Sequence, residues 1–274
     1  VIVKGERAAW ERRTGAGGVS FVAFTGLEAY PWIAHGMSAV AATGEEPRNE
    51  DLRRAIGLDP GRVVNVKQVH GTEVIALGGG ARRESGGVFQ SLPDTRLVED
   101  ATRLSPGAAP WCAGTADAVA TDEPGIALEI RVADCVPLFA IDPVRRIVAL
   151  AHAGWRGTLA GVGARLVETL AARFGSRPSD LRTWIGPCIG PECYEVGADV
   201  AASFRQEFGD AVFPSERHLD LRAANRAALV RAGAAPANVE TIDLCTSCRP
   251  DLFHSHRASG GRPGRNIALL GIRA

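Results

Sequence analysis

The stretch from Gly125 to Gly154, "GIALEIRVADCVPLFAIDPVRRIVALAHAG", constrains the fold more than any other part of the chain. Ile126, Leu128, Ile130 and Val132 alternate with Ala127, Glu129 and Arg131, the period-two signature of a strand with one face buried. "VPLFAID" reads as a second strand, Asp142-Pro143 as a turn, and "RRIVALAHAG" as a third, almost wholly apolar and therefore central in a sheet. Asp134, Cys135 and His152 stand at the ends of these strands, where Val or Leu would pack at lower cost.

From Thr158 the period changes. Leu159, Val162, Leu166, Leu170 and Phe174 recur every three or four residues until Gly175, which predicts a helix of about four turns. Upstream, the first part reads as irregular and "EEPRNEDLRRAIGLDPGR" as a short helix with Leu52, Ile56 and Leu58 apolar. "VVNVKQVHGTEVIAL" reads as a strand pair broken at His70-Gly71. Residues 78–116, rich in Gly, Pro, Ser and charge, are expected to form a long surface loop. Downstream, "LRTWIGPCIG" reads as strand and turn, "GADVAASFRQEFG" and "RAANRAALVRAG" as helices, and "NIALLGI" as a last strand. Strands and helices alternate without the strict rhythm of a doubly wound sheet. The expected fold is α+β, a mixed α/β sandwich of layered sheets flanked by helices, in a single domain spanning residues 1–274.

Composition narrows the function classes. With 274 residues, 46% of them hydrophobic and 23% charged, the chain can bury a full core. Lys plus Arg number 31 and Asp plus Glu 31, with no basic stripe, so a nucleic-acid partner is disfavoured. No apolar run approaches the ~20 residues of a membrane helix, and the start has no signal-peptide core, which points to a cytoplasmic protein that does not enter membranes. Six cysteines in that setting read as thiols, metal ligands or redox groups before disulfides.

His70 lies 65 residues before Cys135, and Cys135 lies 17 before His152, unlike the short paired spacings of a zinc finger. Ligands drawn from three strand or turn ends fit a catalytic zinc, which keeps three protein ligands and an open position. Two histidines and a thiolate suit zinc, and copper less securely. Taken singly, a strand Cys is a small core residue and a lone His a satisfied polar group, and spacing leaves both readings standing. Polar company favours the site: Gln68 near His70, Asp134 beside Cys135, Arg156 shortly after His152. In "HAGWRGT" a helix is expected to open near Thr158 with Arg156 just outside, a place for phosphate or an oxyanion; the plain alternative is a salt bridge for Arg156 and simple packing for Trp155. Cys188, Cys193, Cys245 and Cys248 offer a four-thiolate structural zinc, a C-x-x-C redox pair, or free thiols in turns. In "FHSHRASGGRPGR", His254, His256, Arg257 and Arg265 offer contacts to an anionic substrate or a solvated loop.

"KQVHG", "ADAVATDEPGIALEIRVADCVPLFAID", "AHAGWRGTLAGV", "IGPCIGPECYEVG", "CTSC" and "FHSHRASGGRPGR", in that order, resemble the multicopper polyphenol oxidase or laccase-domain family, also described as purine nucleoside phosphorylases and peptidoglycan editing factors. The resemblance runs from about Ala34 to the C-terminus. It implies a mixed α/β sandwich and a zinc held by His70, Cys135 and His152. It also implies phosphorolysis of adenosine, inosine, guanosine or methylthioadenosine and deamination of adenosine, with the nucleoside and phosphate as small-molecule partners. The expected state is monomer or homodimer. The chain departs from the family after His35-Gly36, where an Arg, a Gly-Gly-Val-Ser stretch and a Ser-Leu-Asn segment are usual and "MSAVAATGEEPRNEDL" stands instead.

The expected mechanism has the metal at His70, Cys135 and His152 activating water for deamination. Arg156, Arg257 and Arg265 are the candidates for binding phosphate and Gln68 for substrate, and Asp134 is a candidate orienter or proton carrier. The rivals are a cysteine hydrolase acting on cell-wall precursors through Cys135 and a histidine base, a copper oxidase, and a nucleoside-binding protein without turnover.

Overall fold

The computed structural model describes residues 9–15, 18–40, 49–78, 95–98 and 110–274. In chain order the elements are β1 (Trp10–Thr14), β2 (Ser20–Phe24), β3 (Ile33–Ser38), α1 (Asn49–Ala55), β4 (Val63–Lys67), β5 (Val74–Leu77), β6 (Thr95–Val98), β7 (Trp111–Thr115) and β8 (Ala118–Thr121). Then come β9 (Ala127–Val132), β10 (Val136–Asp142), β11 (Ile147–Ala153), α2 (Trp155–Ala160), α3 (Val162–Phe174), β12 (Arg182–Ile185), α4 (Ala198–Phe208), α5 (Leu221–Arg231), β13 (Val239–Thr241) and β14 (Asn266–Ile272). They build two seven-stranded mixed sheets, ordered β1-β2-β3-β14-β9-β4-β7 and β13-β12-β10-β11-β8-β5-β6. The expected mixed α/β sandwich in one domain is the fold observed.

The pleat explains the layering. In β10 and β11, Leu138, Ala140, Ile147, Ala149 and Ala151 face the helices, whereas Phe139, Ile141, Val148 and Leu150 face the other sheet. Alternate side chains of a strand point to opposite faces, so one strand serves two cores. The helix-facing side of β11 is mostly alanine, which lets α3 approach closely. The sheet-facing side is bulky and fills the interior of the sandwich with Phe24, Leu128 and Leu270. A third cluster, including Leu52, Ile56, Leu58 and Leu269, seats α1 on the outside of the first sheet. As the apolar run of "RRIVALAHAG" suggests, β11 is central, pairing antiparallel with both β10 and β8.

Several local expectations are corrected. The first part is not irregular: β1, β2 and β3 pair antiparallel, because "SFVAF" and "IAHGM" are buried on both faces and so do not alternate. The strands around His70-Gly71 are not partners, since β4 joins the first sheet and β5 the second. β9 is not half exposed: of its residues only Arg131 is exposed, and Glu129 is fully buried in an ion pair with Arg53 of α1. The helix expected from Thr158 begins at Trp155 and is split into α2 and α3 at Gly161, whose φ of 88° is left-handed backbone that glycine adopts without strain. The segment 78–116 contributes β6 and β7, paired with β5 and β4; its residues 79–94 and 99–109 lie outside the described residues, as do 41–48 of the segment after His35-Gly36. Among the described residues no helix is long and apolar enough to cross a membrane.

Candidate metal centre

The site lies at one end of the sandwich, where the chain passes from the first sheet to the second. It makes that passage three times: besides the step from β7 to β8 at Asp117, it crosses from β4 to β5 through a turn at His70 and from β9 to β10 through a turn at Asp134-Cys135. Both turns are tight enough to force left-handed backbone on a non-glycine residue, with φ of 63° at His70 and 77° at Asp134. The end of β11 supplies His152, which pairs in register with Pro137. One ligand atom from each of His70, Cys135 and His152 lies within 4.8 Å of the other two. The ring centroids of His70 and His152 are 4.7 Å apart. His152 is buried, Cys135 half-buried and His70 exposed, so the cluster opens towards solvent on the His70 side.

A residue that sequence reasoning left aside holds this cluster together. Asp117 is completely buried, and its carboxylate accepts the backbone N–H groups of Val69, His70 and Gly71 at 3.1, 2.9 and 2.6 Å. The same carboxylate meets Nδ1 of His152 at 2.8 Å, and the Asp117 carbonyl accepts the His152 N–H at 2.7 Å. One acid thereby fixes the loop of one histidine and the ring of the other, leaving Nε2 of His152 as the ring nitrogen for a metal. Burial would raise the Asp117 carboxyl, but the His152 hydrogen bond and the N–H donors outweigh it and keep it below the usual carboxylate range. The available signal was an acid inside an apolar run, "TADAVAT", which the pattern of alternation does not explain.

The electrostatics of the trio follow from contact. Burial alone would push the Cys135 thiol up; hydrogen bonds with His152 and then His70 outweigh it and bring it down to about 7. Burial would push His152 down, but its hydrogen bonds to Asp117 and then Cys135 raise it to about 9. A thiol ionised this readily is a good metal ligand and a good nucleophile.

The donor set fits a metal on two counts. Two imidazoles and a thiolate with an open side match three-ligand catalytic zinc. Room for an ion is kept by Gly154, since a Cβ there would come within 2.9 Å of both Cys135 Sγ and His70 Cδ2.

A cleft of about 700 Å³ covers the cluster. The eight residues given a part in the expected mechanism line it: Gln68, His70, Asp134, Cys135, His152, Arg156, Arg257 and Arg265; His254, the other tail histidine offered as a substrate contact beside His256, does not. Arg131, Trp155, Tyr194 and His256 line it as well. Several of these side chains are already engaged. Gln68 pairs through both ends of its amide with the backbone of Arg131, at 2.8 Å each. Asp134 accepts Thr246 Oγ1 and the Arg257 N–H, each at 2.7 Å, so both carboxylate oxygens are committed. Arg257 donates to the carbonyls of Cys193 and Glu195 at 3.2 and 3.0 Å. Arg156 stands inside the first turn of α2, not outside a later helix, and lies 4.3 Å from the Trp155 ring centre. Among the described residues Cys188 joins no metal-ligand group: it is buried in the core beneath the helices, which pushes its thiol up.

The chain is similar to several known proteins. The purine nucleoside phosphorylase YlmD of Geobacillus stearothermophilus is 40% identical over 164 residues, 57% of this chain and 60% of that protein. An adenosine deaminase named RL5, from an unknown prokaryotic organism, is 38% identical over 158 residues, 55% of this chain and 60% of its own. The alignments therefore span about three fifths of these two relatives' lengths. The crystal structure of YlmD from Geobacillus stearothermophilus superimposes with a TM-score of 0.73 at 26% identity, covering 99% of this chain and 98% of the other. The model of the family described as multi-copper polyphenol oxidoreductase laccase matches residues 13–273, and the chain belongs to that family.

Proposed function

We propose that this protein is a metal-dependent enzyme of purine nucleosides, catalysing phosphorolysis of adenosine, inosine, guanosine or methylthioadenosine and deamination of adenosine. The observation that carries the reading is the His70, Cys135 and His152 cluster at the floor of a cleft edged by arginines. The relatives named for phosphorolysis and for deamination support the same substrate class. Zinc is the metal the donors suit best, with copper second, and when bound it supplies Lewis acidity towards water and substrate.

The residues of the chain do the rest. Arg156 and Arg265 offer positive charge to phosphate, with Arg131 and Arg257 at the same cleft. In phosphorolysis a phosphate oxygen forms a bond to the ribose carbon as the bond to the purine nitrogen breaks, and the departing base takes up a proton. Tyr194 and Trp155 give the cleft flat apolar surface for a purine. Asp134 acts by position, holding the Arg257 backbone and Thr246 in place.

The test is incubation of metal-quantified protein with adenosine, with and without phosphate, followed by chromatography of adenine, inosine and hypoxanthine. Phosphate-dependent adenine or phosphate-independent inosine, absent with Cys135→Ala, is the expected result. No product from zinc-loaded protein overturns the reading. The depressed Cys135 thiol beside His152 favours one second reading, a cysteine hydrolase acting on cell-wall precursors without metal. Activity on such precursors that survives chelation and is lost on alkylation would select it.

A further inference from the structure

Behind the cleft a second group of ligand side chains comes together. The loop after β12 carries Glu192 and Cys193, and the loop before the C-terminal tail carries Cys245 and Cys248. One ligand atom from each of the four lies within 4.8 Å of the other three. The sulfurs of Cys193 and Cys248 are 3.3 Å apart, and Cys248 Sγ is 3.7 Å from a Glu192 carboxylate oxygen. At the ordinary metal–sulfur distance of about 2.3 Å, the edges of a tetrahedron are roughly 3.8 Å, so these separations suit four ligands around one small ion. Each of the three cysteines is a free thiol.

The loops are built for this approach. They are laddered together by a parallel bridge between Cys188 and Cys245, with the Thr246 N–H donating to the Cys188 carbonyl at 2.9 Å. The Gly190 N–H donates to Cys245 Sγ at 3.2 Å, a bond that favours the thiolate. Gly190 leaves the space that the Glu192 carboxylate occupies, since a Cβ there would displace both carboxylate oxygens from their place beside the thiols. The fourth ligand is therefore a carboxylate, not the Cys188 that a four-thiolate set would use.

We propose that Glu192, Cys193, Cys245 and Cys248 form a second metal site, a closed structural one that takes a zinc-class divalent cation through three thiolates and a carboxylate. Binding releases the thiol protons and leaves no open position for substrate. The site fastens the two loops that brace the cleft, since Arg257 is held by the carbonyls of Cys193 and Glu195 and Thr246 holds Asp134. It does not depend on which reaction the cleft performs.

The experiment uses the full chain, purified under reducing conditions, with Cys135→Ala removing a ligand of the first centre. Zinc per chain is measured for the parent, Cys135→Ala, Cys248→Ser and the double variant, and cobalt(II) is titrated into metal-free Cys135→Ala. The expected result is two zinc ions in the parent, one in each single variant and none in the double. Cobalt should give a thiolate charge-transfer band in Cys135→Ala that the double variant lacks. Glu192→Gln, which keeps every thiol, should weaken cobalt binding more than about tenfold, since even an outer partner of a metal ligand is worth 10–100-fold. Cys248 and Glu192 are exposed, so both substitutions leave the core intact, and circular dichroism checks folding. The proposal is overturned if Cys135→Ala binds no metal and shows no cobalt–thiolate band. It is equally overturned if peptide mapping finds Cys193 joined to Cys248 as a disulfide in metal-free protein that cobalt cannot enter after reduction.

Discussion

At the scale of single residues, most of the site depends on one acid. Asp117 receives three backbone N–H groups and a histidine ring, so Asp117→Asn removes charge where four donors converge. The variant is expected to lose about 10–100-fold in metal affinity, measured by competition with a chromogenic chelator, with Cys135 still present. His70, Cys135 and His152 were legible in the sequence because each stands where an apolar stretch meets a turn, beside polar company, and the order of motifs resembled a family. Asp117 was less legible because its partners are backbone N–H groups, which no sequence displays. His35 is a second instance of hidden context. It is buried in β3, its Nε2 accepts the Phe24 N–H at 2.9 Å, and burial lowers it from 6.5 to about 4. The folded state thus refuses a proton that the unfolded chain accepts. Its stabilising contribution is whole above pH 6.5 and is lost as pH falls towards 4, by about 3 kcal/mol. His35→Gln keeps an acceptor without a titration, so its urea-unfolding free energy should fall less between pH 7 and pH 4.

At the scale of elements, β11 carries the consequence of the two-faced sheet. Its alanines are spacers between sheet and helix, and Ala149→Leu would press into α3 and the neighbouring strands. Overpacking of this kind costs about 1–3 kcal/mol, which a shift of the urea midpoint would record at an unchanged slope. The strands β9, β10 and β11 were legible because their runs are long, regular and bounded by turns. β13, with three residues, and β6, inside a segment of loop-like composition, carried too little pattern to be read. Nor does periodicity say which sheet a strand joins, and so β4 and β5 looked like partners. The break between α2 and α3 is written by Gly161, but a glycine in a helical period reads equally as a tolerated residue.

At the scale of the whole molecule, the outer layer α1 is joined to the first sheet by the buried pair of Arg53 and Glu129. Both side chains are almost fully covered, at 1% and 0% exposure, and the second cation near Glu129, the exposed Arg131, reaches only its other oxygen at 3.4 Å, so losing either member of the buried pair is costly. Arg53→Met should destabilise the fold by about 3–5 kcal/mol, whereas Arg53→Met with Glu129→Leu should recover most of that loss, as chemical denaturation of the three proteins would reveal. The layered architecture was foreseeable from the mixture of strands and helices. This pair was not, because Glu129 sits at the polar phase of a strand that alternation assigns to solvent.

His70 and Cys135 occupy two of the places where the chain crosses from the first sheet to the second, so an ion there works as a rivet through both plates of the sandwich. Its removal should let one end gape while the other stays shut. In hydrogen exchange, amides around residues 68–71 and 133–135 would quicken on chelation, while those of Val148 and Leu150 in the middle of β11 would keep their protection. The metal that serves the chemistry of the cleft would then also set how far apart its walls can drift.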